Sequence, residues 1–312
     1  MMEKNSTTGD VRLVYKKSIL TVLVALILIL SPTTSFAEKT VIIDPGHGGK
    51  FSGTCGYSGS QTGFCEKDAN LAVALRLQQI LKNTDITVQL TRSSDIDFAP
   101  FLKNPDGITK DGDLDLRMKI ANDTAKNNNN NSIFISIHHN ANPTNPFKRG
   151  IETYYYDGLN YAKAEYPYDP LQLKYLSENK RLAEVVHPIL IDSLGLPNRK
   201  IHSDQSFFVN RNAQMPSILV ELGYMINRNE EKLIITDQYQ EDAATALAAA
   251  ITVYFKVYEV YGMGENRLAT FETEIDALSY AYSVKSAIAV FDKDQQKVIY
   301  EKQSLTYTLK PW

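Results

Sequence analysis

The chain is short of several residue types, and each shortage removes a class of protein. It has 312 residues, of which two are cysteine, Cys55 and Cys65, and five are histidine. Cys-x9-Cys is not a usual zinc spacing, so the cysteines are a poor metal pair. No long basic run occurs and the formal net charge is −3, which makes a nucleic-acid partner unexpected. The apolar run at residues 18–30 has 13 residues, fewer than the roughly 20 that span a bilayer. Internal repeats are absent, and the only low-complexity piece is five asparagines at 127–131. What remains, 43% apolar and 22% charged residues, is ordinary for a globular protein.

The 13-residue run does have the surroundings of an export signal. Arg12, Lys16 and Lys17 precede it, and Ser35-Phe36-Ala37 follows with small residues at the −3 and −1 positions of a cleavage site. Residues 1–37 are therefore expected to be a signal peptide, the alternative being an uncleaved anchor. No cysteine stands directly after the run, which argues against a lipoprotein. Cleavage removes four basic and two acidic residues, leaving 275 residues with a net charge of −5. The expectation is a secreted monomer, extracellular or cell-wall associated, with no membrane span after processing. In an exported chain two nearby cysteines read as a disulfide. A Cys55–Cys65 bridge would close an 11-residue loop and stabilise by about 2.8 kcal/mol in the chain-entropy picture.

The organising stretch is Val41-Ile42-Ile43-Asp44-Pro45-Gly46-His47-Gly48-Gly49. A β-branched run suits a strand buried on both faces, and Pro45 with the glycines ends it in a sharp turn. His47 thus sits past the carboxyl end of a buried strand, where open α/β sheets bind ligands. Residues 132–137 repeat the design and end in His138-His139; residues 217–220 repeat it and end in Glu221. Strands are also expected at 86–91, 151–156 and 206–210. Helices are expected from Glu66, where Val73, Leu77, Ile80 and Leu81 form one stripe, and over 114–126, 179–194 (with a kink at Pro188) and 237–258. Strands alternating with helices indicate an α/β layer fold. Gly262-Met263-Gly264 breaks the chain, and a small α+β appendage follows: a strand at 267–271, a helix at 274–284 and strands at 287–291 and 297–300. The expected division is 1–37, a main domain at 38–261 and a small module at 262–312.

His47, Glu66 and His138 form a set that suits zinc, which takes imidazole nitrogen and carboxylate oxygen and keeps an open position in catalytic sites. Separations of 19 and 72 residues give no local motif, so convergence of the strand exits carries the reading. His187, beside Pro188 on a helix, reads as structural, and His202 as a surface residue.

The motifs IIDPGHGG (42–49), EKDANLAV (66–73), LTR (90–92), LDLR (114–117), SIHHNA (136–141), GIETYYY (150–156) and MPSILVELGYMIN (215–227) together resemble the zinc-dependent N-acetylmuramoyl-L-alanine amidases of the amidase-3 family, which cut bacterial peptidoglycan. The resemblance spans residues 40 to about 258. It implies a mixed, mostly parallel six-stranded sheet flanked by helices. It implies one Zn2+ per chain held by His47, Glu66 and His138, with Glu221 as the catalytic carboxylate. The implied partners are peptidoglycan glycan strands and stem peptides. Two departures stand out: the His47–Glu66 interval is lengthened by the Cys55–Cys65 loop, and position 139 is a second histidine. Alternation along a strand lets only one of His138 and His139 face the metal; Ser136-x-His138 is the match to the family. Arg92 and Arg117 also match, with salt bridge and substrate contact both open. Two rival readings are a non-catalytic wall-binding protein on the same fold and a zinc carboxypeptidase. The second expects His-x-x-Glu, and residue 50 is Lys.

Overall fold

A computed structural model describes residues 38–98, 112–159, 164–271, 273–293 and 297–302. The expected signal peptide lies outside the described residues, as do 99–111 and 160–163 of the two long loops.

Six strands form the main sheet: β1 (Lys39–Pro45), β2 (Ile86–Leu90), β3 (Ser132–Asn140), β4 (Ile151–Tyr155), β5 (Asn198–Ser203) and β6 (Ser217–Tyr224). Their order is β2-β1-β3-β6-β4-β5. β1, β2, β3 and β6 run parallel, β4 is antiparallel to β6, and β5 is parallel to β4. The fold is the expected mixed α/β sheet. The helices are α1 (Gly59–Thr62), α2 (Glu66–Leu81), α3 (Gly112–Ala125), α4 (Leu176–Leu194), α5 (Phe208–Asn212), α6 (Arg228–Ile234) and α7 (Asp237–Tyr254).

The apolar runs explain the layering. Val41, Ile43, Ile133, Ile135, Ile218 and Val220 point to one face and pack with α2, α4 and α7. Ile42, Phe134 and Leu219 point to the other and pack with Met118 and Ala121 of α3 and Val209 of α5. Both faces are covered, which is why these strands read as continuous apolar runs rather than alternating ones. All eight residues of β6 are buried. Each fully buried Ile or Leu contributes about 1.5–3 kcal/mol of transfer free energy, so the centre of the sheet is the firmest part of the scaffold.

The topology fixes where side chains emerge. The carboxyl ends of β1, β3 and β6 share one edge. Because β4 runs the other way, its beginning reaches that same edge, and Glu152 pairs across from Glu221.

Several elements differ from expectation. Residues 206–210 are not a strand; α5 begins at Phe208, and the strand is β5 upstream. β5 is a sheet edge with partly solvated, mostly polar residues, so it has no apolar alternation to read. α4 begins at Leu176 and runs through Pro188 as one helix. α7 ends at Tyr254 rather than at 258. Tyr258 belongs instead to β7 (Tyr258–Gly262), so a strand crosses the expected boundary at 261. With β8 (Arg267–Phe271), α8 (Glu274–Ser283), β9 (Ala287–Asp292) and β10 (Lys297–Glu301) it builds a second sheet, ordered β10-β9-β7-β8. Its small core is Tyr258, Val260, Ala277, Ala281, Ala287 and Val290.

Candidate metal and catalytic site

β1 ends at Pro45, and the chain turns so sharply that His47 takes a φ of 62°. Strain at a non-glycine residue of this kind persists only where the surroundings enforce it. Two buried arginines do so. Arg117 donates to the carbonyls of Pro45 (2.9 Å) and His47 (2.5 Å) and to the carboxylates of Asp44 (2.8 Å) and Asp113 (2.7 Å). Arg92 donates to the carbonyls of Pro45 (2.8 Å), Gly46 (3.0 Å) and Lys67 (2.8 Å). Both arginines therefore act on the backbone of the loop that carries His47, and Arg117 is also an ion-pair partner.

The charges in this buttress are mutually supporting. Burial acts to raise the Asp44 carboxyl, but the Arg117 guanidinium and hydrogen bonds from Thr91, Ser136 and Arg117 hold it below its ordinary range. Burial acts to lower Arg117, and Asp44 and Asp113 outweigh it. Arg92 is pushed down to about 10, chiefly by burial and then by Arg117; it stays a cation at neutral pH.

Glu66 opens α2, where the helix N-terminus favours a negative charge. Its Oε1 lies 2.9 Å from His138 Nδ1 and 3.2 Å from His47 Nε2. The ligand atoms of these three residues lie within 4.8 Å of one another, and among the described residues they are the one group that could hold a metal ion. Burial acts to raise the Glu66 carboxyl, yet the hydrogen bonds from His138 and His47 hold it well below its usual range. His139 points away: its Nδ1 meets Asn70 Oδ1 of α2 at 2.8 Å, and burial drives its pKa down to about 4.

Glu221 is the register partner of His138 on the adjacent strand, so both project from the same face. Its Oε2 is buried with no hydrogen-bond partner among the described residues. Burial first, then the charges of Glu66 and Glu152, push its carboxyl well above the ordinary value. Glu152 is its opposite. Arg199 (3.0 Å), Lys148 (3.3 Å), Asn140 (2.6 Å) and the Tyr154 hydroxyl (2.9 Å) all surround it. Burial acts to raise Glu152, but the hydrogen bonds from Tyr154 and Arg199, with Lys148 nearby, hold it low. Two neighbouring carboxyls are thus driven apart: Glu152 is pulled down and Glu221 pushed up, with Glu221 Oε2 unbonded among the described residues. Glu152 escaped the sequence reading because only the sheet pairing brings Asn140 of β3 and Arg199 of β5 to it and sets it opposite Glu221.

A cavity of about 570 Å³ opens beside His47 and His138, walled by Phe51, Leu114, Phe207 and Phe208. In the tyrosine-rich segment, Tyr168 packs on Tyr156, and the Arg211 guanidinium lies over the Tyr166 ring. His187 is buried between Thr153 and Asn198, a structural role. His202 is half-buried, stacked on Tyr154 and bonded to the Arg199 carbonyl, rather than a free surface residue. Cys55 and Cys65 are joined as a disulfide beside Glu66.

A family profile described as N-acetylmuramoyl-L-alanine amidase matches residues 41–253, more than half of the chain. The chain belongs to the N-acetylmuramoyl-L-alanine amidase family. Like other members, it resembles the germination-specific N-acetylmuramoyl-L-alanine amidase of Bacillus subtilis, at 30% identity over 70% of this chain and 80% of that protein. It resembles the amidase AmiA of Escherichia coli at 29% identity over 72% of this chain and 79% of that protein. Among solved structures, the catalytic domain of the amidase CwlV from Bacillus (Paenibacillus) polymyxa var. colistinus superposes with a TM-score of 0.53 at 34% identity. That match covers 69% of this chain and 97% of that domain. The amidase profile ends one residue before α7 does, so β7 to β10 lie beyond it.

Proposed function

We propose that this chain is a zinc-dependent, exported amidase that cleaves the bond between the lactyl group of N-acetylmuramic acid and L-alanine in peptidoglycan. The carrying observation is the buried Oε2 of Glu221, without a hydrogen-bond partner among the described residues, next to the three-residue donor set. Two imidazoles and one carboxylate fit zinc in a catalytic setting, where three protein ligands leave a position open. His47, Glu66 and His138 would hold the ion. When bound, the metal supplies a Lewis acid that acidifies water, polarises the carbonyl and opposes the upward push on Glu221.

The chain's own residues do the rest. Glu221 accepts the proton of the attacking water at Oε2 and later delivers it to the departing alanine nitrogen. Glu152 stays ionised beside Arg199 and Lys148, and burial first, then the charges of Glu66 and Glu152, make Glu221 a stronger base than a solvated carboxylate. Arg92 and Arg117 hold the His47 turn. The apolar walls of the cavity exclude water around the stem peptide. The signal peptide at 1–37 directs the enzyme outward, and the sheet from β7 to β10 is an attached module, a division favoured by the profile ending with α7.

Digestion of purified peptidoglycan tests the reading. Released stem peptides should carry a free L-alanine amine, with no new sugar reducing ends; new reducing ends or cleavage within the stem would overturn it. Glu221→Gln should keep one zinc per chain and lose about 10²–10⁴ in turnover. Retained turnover at full zinc occupancy would make another group the base.

A further inference from the structure

Glu66 is gripped from behind by a piece of backbone that a covalent bond closes. Its Oε1 faces the two imidazoles, while Oε2 accepts the Thr54 N–H at 3.0 Å. The Glu66 N–H donates back to the Thr54 carbonyl at 2.8 Å, and the Lys67 N–H to the Ser52 carbonyl at 3.1 Å. Residues 52–54 therefore run against the first turn of α2 as a two-way clamp. Cys55 follows Thr54 and Cys65 precedes Glu66, so the disulfide lies one residue from each side of the Thr54–Glu66 pair.

The approach is close. At Gly53 (φ 65°) an added Cβ would come within 2.5 Å of Glu66 Oε2 and 2.8 Å of His47 Cδ2. The crown of the loop is anchored elsewhere. The Ser58 N–H and hydroxyl bond to Glu231 Oε1 at 2.7 and 2.9 Å, and Arg228 lies 3.7 Å over the Tyr57 ring. Those contacts tie the crown to α6; the bridge is what ties the base of the loop to Glu66.

We propose that the Cys55–Cys65 disulfide is a positioning device for Glu66. By keeping the Thr54 N–H on Oε2, it fixes the carboxylate so that Oε1 stays aimed between His47 and His138, and metal affinity depends on it. The inference rests on the reading of those three residues as metal ligands. Outer partners that orient a ligand typically contribute 10–100-fold to metal affinity. A bridge acting only as a staple on the unfolded chain would raise stability yet leave the affinity of already folded molecules alone.

The full chain is compared with the bridge intact and as Cys55→Ser/Cys65→Ser. Both are stripped of metal and titrated with zinc against a chromophoric chelator, at a temperature where circular dichroism finds both folded. Serines avoid free thiols that would themselves bind zinc. The bridged chain should bind one zinc, and the serine variant should bind it 10–100-fold more weakly. Gly53→Ala, with its bridge intact, should lose affinity by a similar factor. Combined with the two serines, its loss should be less than the sum of the separate losses, because both changes displace Glu66; the part the added Cβ exerts on His47 Cδ2 remains. Equal affinities, within twofold, for the bridged and serine chains overturn the proposal. Should the serine variant not fold, unchanged affinity in folded Gly53→Ala overturns it. A bridged chain that takes up no zinc at all refutes the metal reading beneath it, a distinct result.

Discussion

Gly46 lacks a Cβ because the imidazole of His138 occupies the space. A Cβ there would lie 2.1 Å from His138 Nε2 and 2.3 Å from its Cε1. No rotamer adjustment of a few tenths of an ångström relieves such a contact, so Gly46→Ala must displace the ring or the turn. Zinc affinity should fall at least 10-fold, as when a ligand loses its orientation. Far-ultraviolet circular dichroism should stay unchanged, since Gly46 follows β1 and belongs to no strand. Unaltered zinc affinity in this variant would mean that His138 is not a ligand. The glycine was visible in the sequence as a turn residue. Its contact with a side chain 92 residues away was not, since no local spacing encodes it.

At the scale of elements, the buttress joins the end of β1, the end of β2 and α3 through Asp44, Arg92 and Arg117. It makes a pH prediction. Asp44 is held below its ordinary value of 3.8 in the folded chain. The unfolded state therefore takes up the proton first as pH falls, so the contribution of Asp44 is fully present above about pH 4–5. It is lost as pH drops through the folded pKa. Asp44→Asn leaves Arg117 buried with Asp113 as its one ionic partner among the described residues, and breaking a buried pair costs about 3–5 kcal/mol. The gap in unfolding free energy between wild type and Asp44→Asn should be widest near neutral pH and narrow below pH 4. A gap that stays constant from pH 7 to pH 3 would mean that the ion pair adds nothing. Legibility varied among elements for a physical reason. β1, β3 and β6 are covered on both faces and so carry long β-branched runs. β5 is an edge with solvated side chains, and its sequence, Asn-Arg-Lys-Ile-His-Ser, has no such signal.

For the molecule as a whole, β7 sits inside the second sheet, hydrogen-bonded to β8 on one side and β9 on the other. A chain cut after Tyr261 would keep most of β7 and lose both of its neighbours, leaving two bare edges that invite aggregation. A chain cut after Lys256 removes the whole sheet and keeps α7. The shorter chain should be soluble, bind zinc and cleave soluble muropeptides at a rate within a few-fold of the full chain; the longer one should associate, as read by light scattering. If the Lys256 chain folds and binds zinc but cleaves nothing, the second sheet contributes to the active site.

The sequence by itself determined the buried strands, the turn at residues 45–49, the helix opening at Glu66 and the four residues His47, Glu66, His138 and Glu221 as candidates. The strands, turn and helix rest on local signals (β-branched runs, proline and glycine punctuation, one-sided apolar stripes), while the choice of His138 over His139 and the role of Glu221 rest on the resemblance to the amidase family. Only the tertiary structure decided the functions that depend on distant neighbours. Strand register put Glu221 beside His138 and opposite Glu152, and the alternation of β3 sent His139 to Asn70. The reversal of β4 brought a second carboxylate to the same edge, and the backbone of residues 52–54 closed on Glu66. Hydrogen bonds, desolvation and charge act over a few ångströms of space whatever the separation along the chain. The residues can therefore be named from the sequence, while their pairing exists only once the sheet has assembled.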